Sequence, residues 1–176
     1  MKTIMRLYRL KKMTELLDKK HNREGFDCGK ELLNNYLKTQ AGQDIKRKLS
    51  ACFVLSDAAT NDIQGYYTLS NNSIPLSSFP ESIQKKLPKS YTSIPTTLLG
   101  RLAIHTKYQG KGIGKILLID ALKRSYHISQ EIGSFAVVVD PIDEDAEKFY
   151  TKYDFIKLPD SKKMFIAIKT LQELFT

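Results

Sequence analysis

Thr97-Leu-Leu-Gly-Arg-Leu-Ala-Ile104, then His105-Thr-Lys-Tyr108, then Gln109-Gly-Lys-Gly-Ile-Gly-Lys115 follow one another without a break. They read as a central strand, a turn and a glycine loop that opens a helix, whose Ile116, Leu117, Ile119, Leu122 and Tyr126 form an apolar stripe. Three alternate glycines let backbone N–H groups turn toward one point, and the positive end of the helix adds to them, so the loop suits a pyrophosphate. Two common nucleotide loops are excluded. A Walker A loop needs Gly at 109 and Ser or Thr at 116, where Gln109 and Ile116 stand; a dinucleotide fingerprint begun at Gly110 needs Gly at 115, where Lys115 stands.

Downstream, Ser134-Phe-Ala-Val-Val-Val139 is the continuous apolar run of a strand buried on both faces. Asp143 to Tyr153 has acids at a helix start and an apolar set at Ala146, Phe149, Tyr150 and Tyr153, and Lys163 to Lys169 alternates as a last strand. Upstream, residues 71 to 97 lose periodicity, with Pro75, Pro80, Pro88 and Pro95 among six serines, and read as a long surface excursion of the kind that shapes a binding site. Ala51 to Leu55 and Gln64 to Leu69 read as a hairpin over the polar turn Ala59-Thr-Asn-Asp62. Leu32, Leu33, Tyr36, Leu37 and Ile45 recur at helical spacing, and residues 4 to 10 alternate as a first strand. The order β-α-α-β-β-β-α-β-α-β implies an α/β fold with α+β character: one domain over 1–176, a mixed sheet and flanking helices.

The loop pattern Gln-x-x-Gly-x-Gly, the strand Leu99-Gly-Arg-Leu-Ala-Ile104, and the helix Asp145-Ala146-Glu-Lys-Phe149-Tyr150 followed by Asp154-Phe155 resemble the GCN5-related N-acetyltransferases, GNAT for short, in order and spacing. A narrower resemblance lies in Gly25-Phe26-Asp27-Cys28-Gly29, Leu33-Asn-Asn-Tyr36-Leu37, Ala41-Gly-Gln43-Asp44 and Gly65-Tyr66-Tyr67-Thr-Leu69-Ser70. These are similar to acetyltransferase toxins of type II toxin–antitoxin systems. That resemblance implies a mostly antiparallel sheet, acetyl-CoA as cosubstrate, the α-amino group of aminoacyl-tRNA as acceptor, a ribbon-helix-helix antitoxin and a homodimer. It also implies that the backbone of Leu102, Ala103 and Ile104 pairs with the pantetheine arm, as an added strand does. Gln109, Gly110, Lys111, Gly112, Ile113 and Gly114 would cradle the pyrophosphate, with Lys111 and Lys115 adding charge. Tyr150 falls at the family's catalytic position. Two departures are Asp154 where the family has glycine and Gln109 where many members have Arg; Asp tolerates a left-handed backbone, and Gln keeps a side chain able to bond the loop.

Acetyl transfer to an amine needs the reactants held together, the oxyanion stabilised and the departing sulfur protonated. Tyr150 suits the last task because a phenol, with a pKa near ~10, stays protonated at neutral pH. Periodicity alone leaves acid and core aromatic even; the catalytic reading rests on Phe149 and Tyr153 covering the apolar stripe. No general base is assigned among Asp140, Asp143, Asp145, Glu147 and His105. An α-amine, with a pKa near ~8, needs less help from a base than lysine near ~10.4.

The chain has 176 residues, 28 Lys plus Arg and 19 Asp plus Glu, a net charge of +9. The first 50 residues hold 13 basic and 6 acidic side chains, while residues 101–150 hold 7 of each. The cofactor loop thus lies in a neutral segment, and the N-terminal excess is free to meet a second anion. Lys30 and Lys38, with Lys46, Arg47 and Lys48, are the candidates for tRNA phosphates, a solvated charged surface being the alternative. Two cysteines and three isolated histidines give no metal-ligand spacing and no disulfide framework, which with the absence of an apolar span or secretory signal points to a cytoplasmic protein without metal. Two other functions stay open: acetylation of a protein N-terminus, lysine or small amine, and an acetyl-CoA-binding interaction protein with little turnover.

Overall fold

In the computed structural model, residues 14–175 are described, and their seven strands form one sheet in the order β1-β2-β3-β4-β5-β7-β6. The strands are β1 Glu15–Leu16, β2 Ala51–Ser56, β3 Ile63–Pro75, β4 Ser93–Ile104, β5 Ala136–Val139, β6 Ile156–Lys157 and β7 Met164–Ala167. The helices are α1 Glu31–Asn35, α2 Ala41–Lys46, α3 Glu81–Gln84, α4 Ile113–Glu131, α5 Glu144–Thr151 and α6 Ile168–Phe175. Neighbours β1/β2, β2/β3, β5/β7 and β6/β7 are antiparallel, and β4/β5 is parallel, so the sheet is mixed. The strand expected at residues 4 to 10 lies outside the described residues.

Two compact units divide the chain. One holds the described residues up to Ser70 with Arg101–Leu122; the other holds Asn71–Gly100 with the described residues from Lys123. In the first unit, the hairpin of β2 and β3 forms as its β-branched and aromatic content dictates, with Phe53 opposite Tyr67 and Val54 opposite Tyr66. The turn is set by Asp57, whose Oδ1 accepts from the N–H groups of Ala59 at 2.8 Å and Thr60 at 3.0 Å, and by Asn61 with φ +59°. Between α1 and α2 the chain makes a π-helical turn, Tyr36–Gln40, which buries the consecutive residues Tyr36 and Leu37. These pack with Phe26, Leu33, Ala41, Tyr66 and Ala103 into one core.

Gly65 lets α4 cross β3 closely. A Cβ there would lie 2.8 Å from Leu117 Cδ1 and 3.0 Å from the Ala103 carbonyl oxygen. The same crossing is fastened by Asp120 of α4, which accepts from the Tyr67 hydroxyl at 2.5 Å and from Thr14 Oγ1.

In the second unit β5 is buried along its whole length, as its unbroken apolar run predicts. Its ladder to β4 joins Thr97 to Val137 and Leu98 to Val138. The excursion expected over 71–97 is shorter than that: 71–75 continue β3, and 93–97 begin β4. Proline and serine content hid an apolar series, Ile74, Phe79 and Ile94, that joins Val138, Leu158 and Phe165 in a core. Phe79 stands edge-on to Phe135 and Phe165 at 5.6 and 5.2 Å. Pro95 is tolerated near the start of β4, where its carbonyl still accepts from Phe135 N–H at 2.8 Å. A second correction is at the end of the chain, where the last strand stops at Ala167 and α6 follows, burying Leu171.

Candidate active site

The glycine loop is built in the first unit. β4 ends at Ile104, a single turn Thr106–Tyr108 follows, and α4 starts at Ile113, so Gln109–Gly112 are the whole loop before the helix. Gly110 and Gly112 have φ +73° and +80°, the left-handed region that glycine enters without strain, and a Cβ on either would meet nothing within 4 Å. Gly114 lies inside the first turn of α4, and that turn carries no acidic side chain. Open space over two left-handed glycines, next to a 19-residue helix start, fits a pyrophosphate. Lys111 Nζ lies 5.5 Å from the centre of the Tyr108 ring, and Lys115 is half-buried on α4.

Gln109 bonds neighbouring backbone and leaves the loop open. Its Nε2 donates to the carbonyls of Ile104 at 2.9 Å and Cys28 at 3.0 Å. Thr106 N–H donates to Asp27 O at 2.9 Å and His105 Nε2 pairs with Gly25 O at 3.2 Å, so the strand end and residues 25–28 are joined at three points. His105 Nδ1 accepts from Lys107 N–H at 3.1 Å. Both ring nitrogens are therefore occupied, which removes His105 from the candidate bases. Of the segment Leu102–Ile104, Ala103 is buried and its neighbours are half-buried.

The basic residues occupy several places in this unit. Lys30 precedes α1, Lys38 sits half-buried in the π turn, and Lys46, Arg47 and the left-handed Lys48 close α2 with exposed side chains. Sequence analysis passed over a further cation. Arg101 is the single charge in the apolar run of β4, and its guanidinium carbon lies 3.5 Å from the centre of the Tyr36 ring. A charge interrupting a central strand was the signal that marks it.

Tyr150 is positioned in the second unit by α5. Asp143 caps that helix, its Oδ1 accepting from Ala146 N–H at 2.9 Å, and Glu144, Asp145 and Glu147 load its first turn with negative charge. Glu147 pairs with Lys157 at 2.7 Å. After Tyr153 the backbone turns through Asp154 at φ +65°, as the glycine-to-Asp departure requires. The stripe argument for Tyr150 is corrected by its burial. Tyr150 is 7% exposed, whereas Phe149 and Tyr153 are half-buried. Its ring packs against Phe149 at 5.3 Å and Phe155 at 5.2 Å, and its hydroxyl makes no hydrogen bond with any described residue. Burial pushes its phenol well above the ordinary value of 10, so it is protonated at every physiological pH.

Among the described residues there is no group of three or more His, Cys, Asp or Glu able to hold a metal, and no helix long and apolar enough to cross a membrane. A glycine loop ahead of a long helix in one unit, and a capped helix bearing a buried, protonated tyrosine in the other, are features expected of the class that the sequence resembles, acyltransferases drawing on a nucleotide thioester. The comparisons narrow it. Residues 80–157 match the family described as acetyltransferase (GNAT) domain. A protein of Mycobacterium tuberculosis named tRNA-acetylating toxin is 30% identical over 150 residues, 85% of this chain and 87% of that protein. The structure of AtaT complexed with acetyl-methionyl-tRNAfMet superposes with a TM-score of 0.86 at 32% identity, covering 93% of this chain and 98% of that one. A tyrosine-to-phenylalanine mutant of the AtaT toxin, bound to the C-terminus of the antitoxin AtaR and acetyl-CoA, gives 0.77 at 28% identity over 93% of this chain and 97% of that one. The chain belongs to the GNAT acetyltransferases, and it is an N-acetyltransferase whose cosubstrate is acetyl-CoA.

Proposed function

We propose that the protein acetylates the α-amino group of aminoacyl-tRNA and so arrests translation, as the toxin of a toxin–antitoxin pair. Acetyl-CoA supplies an activated acetyl group on a sulfur that departs as a thiolate. Leu102, Ala103 and Ile104 offer backbone groups to its extended arm, while Gln109, Gly110, Lys111, Gly112, Ile113 and Gly114, with Lys115, hold its phosphates. Lys30, Lys38, Lys46, Arg47 and Lys48 take phosphates of the acceptor.

The observation that carries the chemical half is the Tyr150 hydroxyl: its ring is buried on a capped helix, it has no hydrogen bond to any described residue, and its oxygen keeps access to solvent. A hydroxyl with no protein partner and an open approach is available to a group that arrives with substrate. A phenol of ordinary pKa ~10 is already a weaker acid than a thiol near ~8.5, and burial widens the gap. Tyr150 therefore acts by donating a hydrogen bond to the departing sulfur as negative charge builds there, and full proton transfer to the free thiolate is uphill. The names of the M. tuberculosis and AtaT proteins support the acceptor, and the AtaR complex supports an antitoxin partner. We read that antitoxin as a ribbon-helix-helix protein, the toxin as a homodimer, and the site of action as the cytoplasm, where charged tRNA is found.

The test is incubation of purified protein with acetyl-CoA and a charged tRNA pool, followed by mass spectrometry of the released aminoacyl-adenosine. N-acetylated product is expected, with Tyr150→Phe lowering kcat about 10²-fold or more while leaving the acetyl-CoA KM within about twofold. Absence of product for every amino acid overturns the acceptor assignment. An unchanged kcat in Tyr150→Phe overturns the role of the hydroxyl.

A further inference from the structure

Arg101 is a half-buried guanidinium whose carbon lies 3.5 Å from the centre of the Tyr36 ring, and it makes no hydrogen bond or ion pair with any described residue. The ring beneath it is rigid. Tyr36 is 5% exposed, its hydroxyl donates to Asp44 Oδ2 at 3.0 Å, and Tyr66 is stacked beside it at 6.4 Å. Tyr66 is fully buried and is itself fixed by donating to the Leu33 carbonyl at 2.8 Å. The π turn that buries Tyr36 and Leu37 side by side supplies this platform.

A partly desolvated cation without a counter-ion is expensive unless something pays its charge back, and a guanidinium lying flat on a ring keeps all five N–H donors at its edge. Asp44 accepts from the Tyr36 hydroxyl and forms no ion pair with Arg101. The geometry is that of a preset fork for a planar or tetrahedral oxyanion. Its place along β4 says which oxyanion. If the phosphates of acetyl-CoA lie beyond Ile104 and its arm runs back from Ile104 to Leu102, the next residue, Arg101, stands at the thioester end, too far along the strand for the cofactor's own phosphates.

We infer that Arg101, held by Tyr36, binds a backbone phosphate of the nucleotide end that carries the acceptor amine, and so sets the amine against the thioester. This rests on the aminoacyl-tRNA reading above. It assigns a specificity determinant: an aminoacyl ester on a terminal nucleoside linked through a 5′-phosphate is favoured over the same aminoacyl nucleoside without phosphate.

The experiment compares charged tRNA with an aminoacyl-adenosine, which has the same amine and ester but no phosphate, and adds binding of a short CCA-ended RNA oligonucleotide to the acetyl-CoA-loaded protein. Arg101→Gln is expected to raise the charged-tRNA KM about tenfold to a hundredfold and to weaken oligonucleotide binding by a like factor. The KM values for aminoacyl-adenosine and acetyl-CoA should stay within about twofold. Arg101→Lys, which keeps the charge and loses the fork, should fall between and decides the matter if the Gln variant fails to fold. Equal losses on both acceptors, or unchanged oligonucleotide binding, overturn the inference. Product from aminoacyl-adenosine with none from charged tRNA overturns the aminoacyl-tRNA reading instead, and oligonucleotide binding then still judges Arg101.

Discussion

Cys52 and Tyr36 hold their protons well beyond the pH at which an unfolded chain releases them. Burial pushes the Cys52 thiol from an ordinary 9 up to about 12. Burial, with the hydrogen bond to Asp44, pushes the Tyr36 phenol from 10 up to about 12. Groups with raised folded pKa values stabilise fully below the unfolded value and lose that contribution as pH climbs through the folded one. Stability should therefore be level near neutrality and fall from about pH 9 toward pH 12, read as the urea midpoint at successive pH values. Cys52→Ala should flatten the first part of that fall, between about pH 9 and pH 10, while lowering the neutral midpoint through lost packing. A decline starting below pH 8 would contradict this. The same scale shows what sequence could and could not yield at Tyr150. Its position was legible from the motif, but the reason offered for it was inverted, because helical periodicity names a face and does not say which of two adjacent aromatics, Phe149 or Tyr150, goes deepest.

At the scale of elements, β3 lies close against α4 in the first unit, and Gly65 is what permits it. Gly65→Ala should cost about 1–3 kcal/mol, because the methyl meets Leu117 and, less forgivingly, the Ala103 carbonyl, which belongs to a strand with no freedom to retreat. Thermal unfolding measures the cost. The acetyl-CoA dissociation constant should rise as well, since the displaced carbonyl lies within Leu102–Ile104. A variant as stable as the parent would show that the joint relaxes. The hairpin, α4, β5 and α5 were legible in the sequence because each has one clear period or an unbroken apolar run. Residues 71–97 were not, because prolines and serines at the strand ends outvoted Ile74, Phe79 and Ile94, whose packing partners are far away in the chain. The π turn was also hidden: it differs from an α-helix by one residue, which spacing rules absorb without notice.

For the molecule as a whole, the glycine loop and the family could be read from residues 99–155 alone, since their glycines and caps answer to local backbone chemistry. The acceptor side could be read only as charge. Arg101 shows why: it stands over a ring 65 positions earlier in the chain and forms no ion pair with a described residue, neither of which a linear pattern records. The three hydrogen bonds that join residues 25–28 to the end of β4 and Gln109 have an effect of a different kind. They tie the entrance to α1 to the glycine loop, so ordering either part lowers the cost of ordering the other. Acetyl-CoA and the acceptor should consequently raise each other's affinity by one shared factor, as thermodynamic linkage demands. Gln109→Leu, cutting the bonds to Ile104 and Cys28, should shrink that factor toward unity in titrations of each ligand with and without the other. A factor unchanged by the substitution would locate the communication elsewhere. An enzyme wired in this way commits to its acceptor chiefly once charged with acetyl groups, which makes cellular acetyl-CoA supply a throttle on its activity.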